Sequence, residues 1–294
     1  MEYSGLEQTA RWRTELAAGT QEIVDAHSNM LGPVATVFWD CMYLICFCLR
    51  EPLYRAGGLT DSVDRAKLAL LTHTFHLLLT SWDAALQGRF GAAANNARSV
   101  SEAPAYLVAI HLDPDFAEKW INLRAAPTVW EARSAAANAM NRIRPGQGDA
   151  WRTSQERFHK EVQVYSHINA TTALASVGWR RGKVAVGFGG AVDGEKLDAF
   201  TGLFANAALV LLAACGTAMS NMLLKPEHWD TKAKRVFAEG NALIQAKAFE
   251  LKIRKRDVLE QIPALKEASG GLRKRGSRKK EELETGLMWL SRGL

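Results

Sequence analysis

Between Leu203 and Leu224 the chain runs for 22 residues without a charge (LFANAALVLLAACGTAMSNMLL), and this stretch most constrains the fold. It is long enough to span a bilayer. A helix that is apolar on every side otherwise belongs at the centre of a large bundle. Asn206, Thr217, Ser220 and Asn221, and the heavy use of alanine, favour the bundle centre, so no membrane is expected. Val34 to Leu49, nearly apolar but containing Asp40, predicts a second buried helix.

Helical periodicity covers most of the rest. An amphipathic helix is expected over Leu6 to His27, stopped near Gly32 and Pro33, and Pro33 can open the next. Asp61 or Ser62 can cap a helix over Val63 to Leu86. The following segment ends near His111, where Asp113 and Pro114 suit an N-cap and a first helical position. Further helices are expected over Thr128 to Ile143 and Gly148 to Val177, separated by the loop RPGQG. Pro226 opens a last amphipathic helix reaching to about Ile262. Only GKVAVGFGGAVDG breaks the pattern. Its alternating valines and glycines predict a short β-hairpin or an extended loop at 182–194. The fold class expected is therefore all-α, a multi-helix bundle over residues 1–250 with a basic extension and tail over 251–294.

Charge separates those two parts. The whole chain carries 37 basic and 31 acidic residues, of which twelve and six lie between Lys252 and Leu294. The body is thus neutral and the tail holds the net +6. KIRKRD and LRKRGSRKK can bind a nucleic-acid backbone without sequence preference, with Arg273, Lys274 and Arg275 as candidate contacts. Arg180, Arg181 and Lys183, beside Trp179 and Phe188, could extend that surface as a single-strand platform. The apolar LMWL is a candidate docking peptide for a protein partner. The polar opening MEYSGLEQTARWRTEL has no signal-peptide core, and Cys41, Cys46, Cys48 and Cys215 are spaced like reduced, buried thiols. A cytoplasmic location is expected.

Several common chemistries find no support in the sequence. His73 and His76 share a helix face, but without Glu-x-x-His partners they read as buried, hydrogen-bonded histidines rather than metal ligands. GFGGAVDGEK is not a phosphate loop, and no G-x-S-x-G elbow occurs. No metal and no cofactor is expected. Arg152 and His159 match R-x6-H, a pattern that chance alone supplies, and they read as part of a solvated face.

NNARSVSEAPAY (95–106) is the segment that asks for an explanation. It places Arg98 and Glu102 four residues apart, able to pair on one helix face. Pro104 then lacks the amide hydrogen a helix needs and crowds the Val100 carbonyl. Two roles fit: a buried ion pair that fixes the packing of a kinked helix, or a polar pocket opened at the kink.

The pattern Arg98-Ser99-x-x-Glu102-Ala103, then Asp113-Pro114, then Tyr165-Ser166-His167 resembles a family of uncharacterised bacterial all-helical proteins grouped with HEPN-like bundles. The resemblance covers about Leu68 to Leu224. In this chain Ser166 and His167 are adjacent, a departure from that family's Y-x-x-S-x-x-x-H-like spacing. HEPN ribonucleases cut RNA without a metal, using an arginine against phosphate charge and a histidine for proton transfer, a task that suits imidazole near neutrality. The resemblance implies that His167 is the general acid/base, Arg98 holds phosphate, Glu102 orients the arginine and Tyr165 completes the site, in bacterial stress or phage defence. The competing expectation is a non-enzymatic helical scaffold or regulatory subunit whose tail binds a protein. A homo-oligomer is expected in either case.

Overall fold

A computed structural model describes residues 5–54, 61–122, 127–166, 178–180, 183–185 and 192–261. The described residues form an all-α bundle of nine helices. In chain order these are α1 (Gly5–Ser28), α2 (Pro33–Arg50), α3 (Ser62–Leu86), α4 (Phe90–Leu112), α5 (Pro114–Ile121), α6 (Val129–Ile143), α7 (Gln147–Ser166), α8 (Gly194–Ala218) and α9 (Pro226–Gln261). The last of them runs through residue 250 without a break.

The helix starts follow from local chemistry. Pro33 opens α2 behind Gly32. Asp61, Asp113 and Asp193 each accept an amide hydrogen from the first turn of α3, α5 and α8, at 3.0–3.1 Å. Thr128 and Glu131 cap each other at the start of α6. Such caps satisfy donors that the helix itself leaves unpaired.

The bundle centre lies along α8, which packs against α2, α3, α4 and α9. Phe200, Phe204, Leu211, Leu212 and Cys215 are buried there. Among the described residues, two segments are long and apolar enough to cross a membrane, 33–54 and 194–218. Within the 203–224 stretch the helix stops at Ala218, and Ser220–Met222 form a single 3-10 turn. Serine and asparagine there compete for backbone hydrogen bonds and favour a turn over a continued helix. Lys67 also marks the stop. Its buried ammonium donates to the Ala218 carbonyl at 3.1 Å and pairs with Asp64 at 2.7 Å, placing a cation at the negative end of α8.

Other contacts lock the remaining helices. Phe38 of α2 stacks on Trp82 of α3, ring centroids 4.2 Å apart. The Trp229 indole of α9 donates to the Leu44 carbonyl at 3.0 Å. His27, at the end of α1, is fully buried. Its Nε2 accepts the Asp193 amide at 3.0 Å, so Nδ1 carries the proton donated to the Leu86 carbonyl at 2.8 Å. One imidazole thus ties the end of α1 to the end of α3 and the start of α8.

Some expectations need correction. The 182–194 segment is not a hairpin at those bounds. The described residues hold only a three-residue pairing, Gly178–Arg180 against Lys183–Ala185, of which the second strand alone falls within 182–194, and 186–191 lie outside them. His73 and His76 are exposed on α3 rather than buried, because Leu71, Thr74 and Leu78 form its inward stripe. The helix expected to reach Val177 is described only to Ser166. Cys41, Cys48 and Cys215 are buried free thiols, whereas Cys46 is only half-buried. Burial, with Asp40 adding to it, pushes the Cys41 thiol up to about 12.

Candidate functional site

Three helices, α4, α6 and α7, pack pairwise into a wedge beside the α8 core. The close approach of α7 to α6 depends on Gly148. A Cβ at that position would stand 1.9 Å from the Ala137 carbonyl oxygen, and the Gly148 amide donates to Asn141 Oδ1 at 2.8 Å. Only a residue without a side chain lets the start of α7 lie against the α6 backbone.

On α4, helix continues through Pro104 from Phe90 to Leu112, so the proline does not end it. Pro104 is buried among the helices that hold α4 in place. The missing amide costs the Val100 carbonyl its ordinary helical donor. One turn earlier, the Ser101 hydroxyl donates to the Arg98 carbonyl at 2.7 Å.

Arg98 and Glu102 do pair, with Nε 3.4 Å from Oε1. The pair is not buried, however. Arg98 keeps 49% of its side-chain surface and Glu102 25%. A long, half-hydrated contact of this kind contributes little to stability. It leaves the Arg98 guanidinium facing solvent.

The inward stripe of α7 is Gln155, Phe158, His159 and Val162, all buried. His159 reaches α4, its Nδ1 3.1 Å from Ser101 Oγ. The serine hydrogen is committed to the Arg98 carbonyl, so Nδ1–H donates to the serine oxygen. Arg152, one turn before this stripe, is exposed and pairs with Asp149 at 3.5 Å. The solvated face expected for both residues therefore holds for Arg152 and fails for His159. Seven positions put them on the same side of the helix, but only the later one lies under α4.

The inward stripe of α6 is Arg133, Ala136, Ala137 and Met140. Arg133 is 1% exposed, and its three guanidinium nitrogens find no hydrogen-bond acceptor among the described residues. Its guanidinium carbon lies 5.0 Å from the ring centroid of the exposed Trp130. Burial works against its charged form, while Glu102 first and then Glu156 and Tyr106 support the charge. Gln155 Oε1 is likewise buried without a partner among the described residues. Tyr106 donates its hydroxyl hydrogen to the Pro127 carbonyl at 2.9 Å. Its phenol is pushed up by burial and by Glu102 and Glu131, against the pull of Arg133.

The wedge thus gathers Arg98, Ser101, Glu102, Tyr106, Arg133, Gln155, Glu156 and His159. Of the residues expected from sequence, it brings Arg98 and Glu102 together. Tyr165 lies in the last turn of α7, and His167 lies outside the described residues. Arg180 and Lys183 stand opposite each other in the short strand pair. Arg181, Arg273, Lys274 and Arg275 lie outside the described residues. Sequence reasoning missed Arg133, although its signal was present: positions 133, 136, 137 and 140 form one helical stripe with a single charge in it.

No protein-family model, no curated protein and no solved structure matches this chain.

Proposed function

We propose that the chain is a HEPN-like bacterial protein that binds RNA or cleaves it without a metal ion, in stress or phage defence. The observation that carries this is the Arg98 guanidinium, half exposed on α4 and held, among the described residues, only by a 3.4 Å contact with Glu102. A planar cation so placed can exchange a weak carboxylate contact for a bidentate one to a phosphate group.

Metal-independent cleavage needs three things at the scissile phosphate. A base takes the 2′-hydroxyl proton, a cation offsets the charge that develops on the phosphoryl oxygens, and an acid protonates the leaving 5′-oxygen. Arg98 is assigned the second task and Glu102 sets its orientation. His167 is assigned proton transfer, with Tyr165 beside it. Arg180, Arg181, Lys183 and the tail residues Arg273, Lys274 and Arg275 hold the flanking backbone. A cytoplasmic homo-oligomer is part of the same proposal.

The test is cleavage of total and transfer RNA by wild type, Arg98→Ala and His167→Ala with chelator present. Cleavage by wild type that both substitutions abolish supports the ribonuclease. Cleavage that survives His167→Ala removes that residue from the mechanism.

A second role, a non-enzymatic scaffold whose tail binds a protein partner, is favoured by the Ser101–His159 bond, which closes the α4–α7 seam with polar groups that fix its register. Wild type that neither cuts nor binds RNA selects this role.

A further inference from the structure

Helix α2 buries one side, with Phe38 and Ile45 fully sealed in the bundle. Its outer side follows the three- and four-residue spacing of a single helix face: Thr36, Trp39, Asp40, Tyr43, Phe47 and Arg50. All are exposed except Phe47, which is half-buried. Trp39 keeps 46% of its surface and Tyr43 57%. The outer face of a bundle helix is ordinarily polar, and a continuous exposed apolar row marks an interaction surface. The row is already ordered. Tyr43 meets Phe47 edge-on with centroids 5.0 Å apart, and Trp39 meets the buried Trp82 at 5.7 Å. Side chains held in this way lose little freedom when a partner covers them.

Two charges interrupt the row, one of each sign. Among the described residues neither Asp40 nor Arg50 takes part in an ion pair. Their positions are symmetric about Ile45, five residues before it and five after. Tyr43 and Phe47 are symmetric about the same point, two residues to either side.

We propose that this face is the seam of a homodimer, in which α2 packs antiparallel on α2 of a second copy about a two-fold axis at the level of Ile45. A two-fold axis sets residues equally far from it on opposite sides against each other. Tyr43 then packs on the partner's Phe47, and Asp40 meets the partner's Arg50, each contact occurring twice. At a crossing of about 20° the helices stay in register over these turns. The same step brings the partner's Arg50 beside Trp39, whose ring face attracts a cation. A bilayer suits the face less well, because Asp40 would enter lipid without a counter-charge, where surface-binding helices carry lysine and arginine. The seam lies apart from the wedge, since α2 packs on α3, α8 and α9, while α4, α6 and α7 build the candidate site. The inference rests on the homo-oligomer of the proposed function and gives it a surface, and it is independent of the RNA chemistry.

Sedimentation equilibrium of the full chain tests it, with far-UV circular dichroism as the check on folding. Wild type should be a dimer, and Tyr43→Glu should be a monomer. Asp40→Arg and Arg50→Asp should each dimerise roughly a hundredfold more weakly, about tenfold for each of the two like-charge contacts created. An equal mixture of these two variants should recover the dimer, because every contact across the seam is again between opposite charges. A monomeric wild type, or a mixture that stays monomeric, overturns the proposal. A dimer indifferent to all three variants overturns this seam and leaves a homo-oligomer standing. A monomeric wild type that binds phosphatidylserine-containing vesicles, with binding lost in Tyr43→Glu, assigns the face to a bilayer and overturns the dimer. Dimerisation as described without RNA binding or cleavage supports the seam and overturns the RNA reading alone.

Discussion

The Ser101 hydroxyl of α4 and the His159 imidazole of α7 stand 3.1 Å apart, joining two helices whose sequences are 58 residues removed. Ser101→Ala removes the acceptor for a buried imidazole N–H. The expected cost is about 1–3 kcal/mol, the penalty of an unmade buried hydrogen bond. Urea unfolding of the two single variants and of Ser101→Ala/His159→Phe checks it, and the double variant should lose less than the sum of the two.

Gly148 allows no substitute. A Cβ placed 1.9 Å from the Ala137 carbonyl oxygen also lies within 3 Å of the Ala137 carbonyl carbon and Cα, so relief requires α6 and α7 to separate. Gly148→Ala should cost at least about 3 kcal/mol, the upper range for overpacking. Gly146, two residues earlier, has a positive φ of 82° but open space around its Cβ position. Gly146→Ala should therefore cost only the local backbone strain, about 1 kcal/mol. Comparison of the two melting temperatures tests the distinction.

Lys67 carries a buried charge with two partners, the Asp64 carboxylate and the carbonyl that closes α8. Lys67→Ala should destabilise by about 3 kcal/mol, the lower range for a broken buried pair, because Asp64 retains contact with water. Lys67→Met, which keeps the packed stem, should lose less. If the two variants unfold at the same urea concentration, the packed stem contributes nothing and the lost ammonium contacts carry the whole cost.

These contacts show which parts of the fold are legible in the sequence. Asp61, Asp113 and Asp193 announce helix starts because a cap is a local event, decided within three residues. The apolar run at 203–224 announces the central helix because burial on nearly every side leaves no polar face to write, whereas the run at 34–49 conceals an exposed face at Trp39, Asp40 and Tyr43. Arg133 and His159 were harder to see. Each is one polar residue on an otherwise apolar stripe, and its burial is decided by which helix lies opposite. The exposure of His73 and His76 was misjudged for the same reason, since α3 offers apolar residues on more than one face. For the candidate site, the pairing of Arg98 with Glu102 was legible from four-residue spacing. Its exposure was not, because that depends on where α6 and α7 end.

Acid stability should depend on His111. Burial and then Lys67 hold its pKa below the ordinary 6.5, with Asp64 opposing. The unfolded chain therefore takes up this proton first as the pH falls. The contribution of the neutral imidazole is fully present above 6.5 and is lost progressively below it. Urea midpoints should fall from pH 7 to pH 5 more steeply in wild type than in His111→Gln. Parallel profiles would remove His111 as the cause.

The central claim is that Arg98 on α4 meets an RNA phosphate. The most direct measurement is the anisotropy of a labelled single-stranded RNA titrated with wild type and with Arg98→Ala, in chelator and at several salt concentrations. The account predicts salt-sensitive binding by wild type, about tenfold weaker binding by Arg98→Ala, and a shallower salt slope for the variant. Binding that is equal in affinity and slope for the two proteins would contradict it.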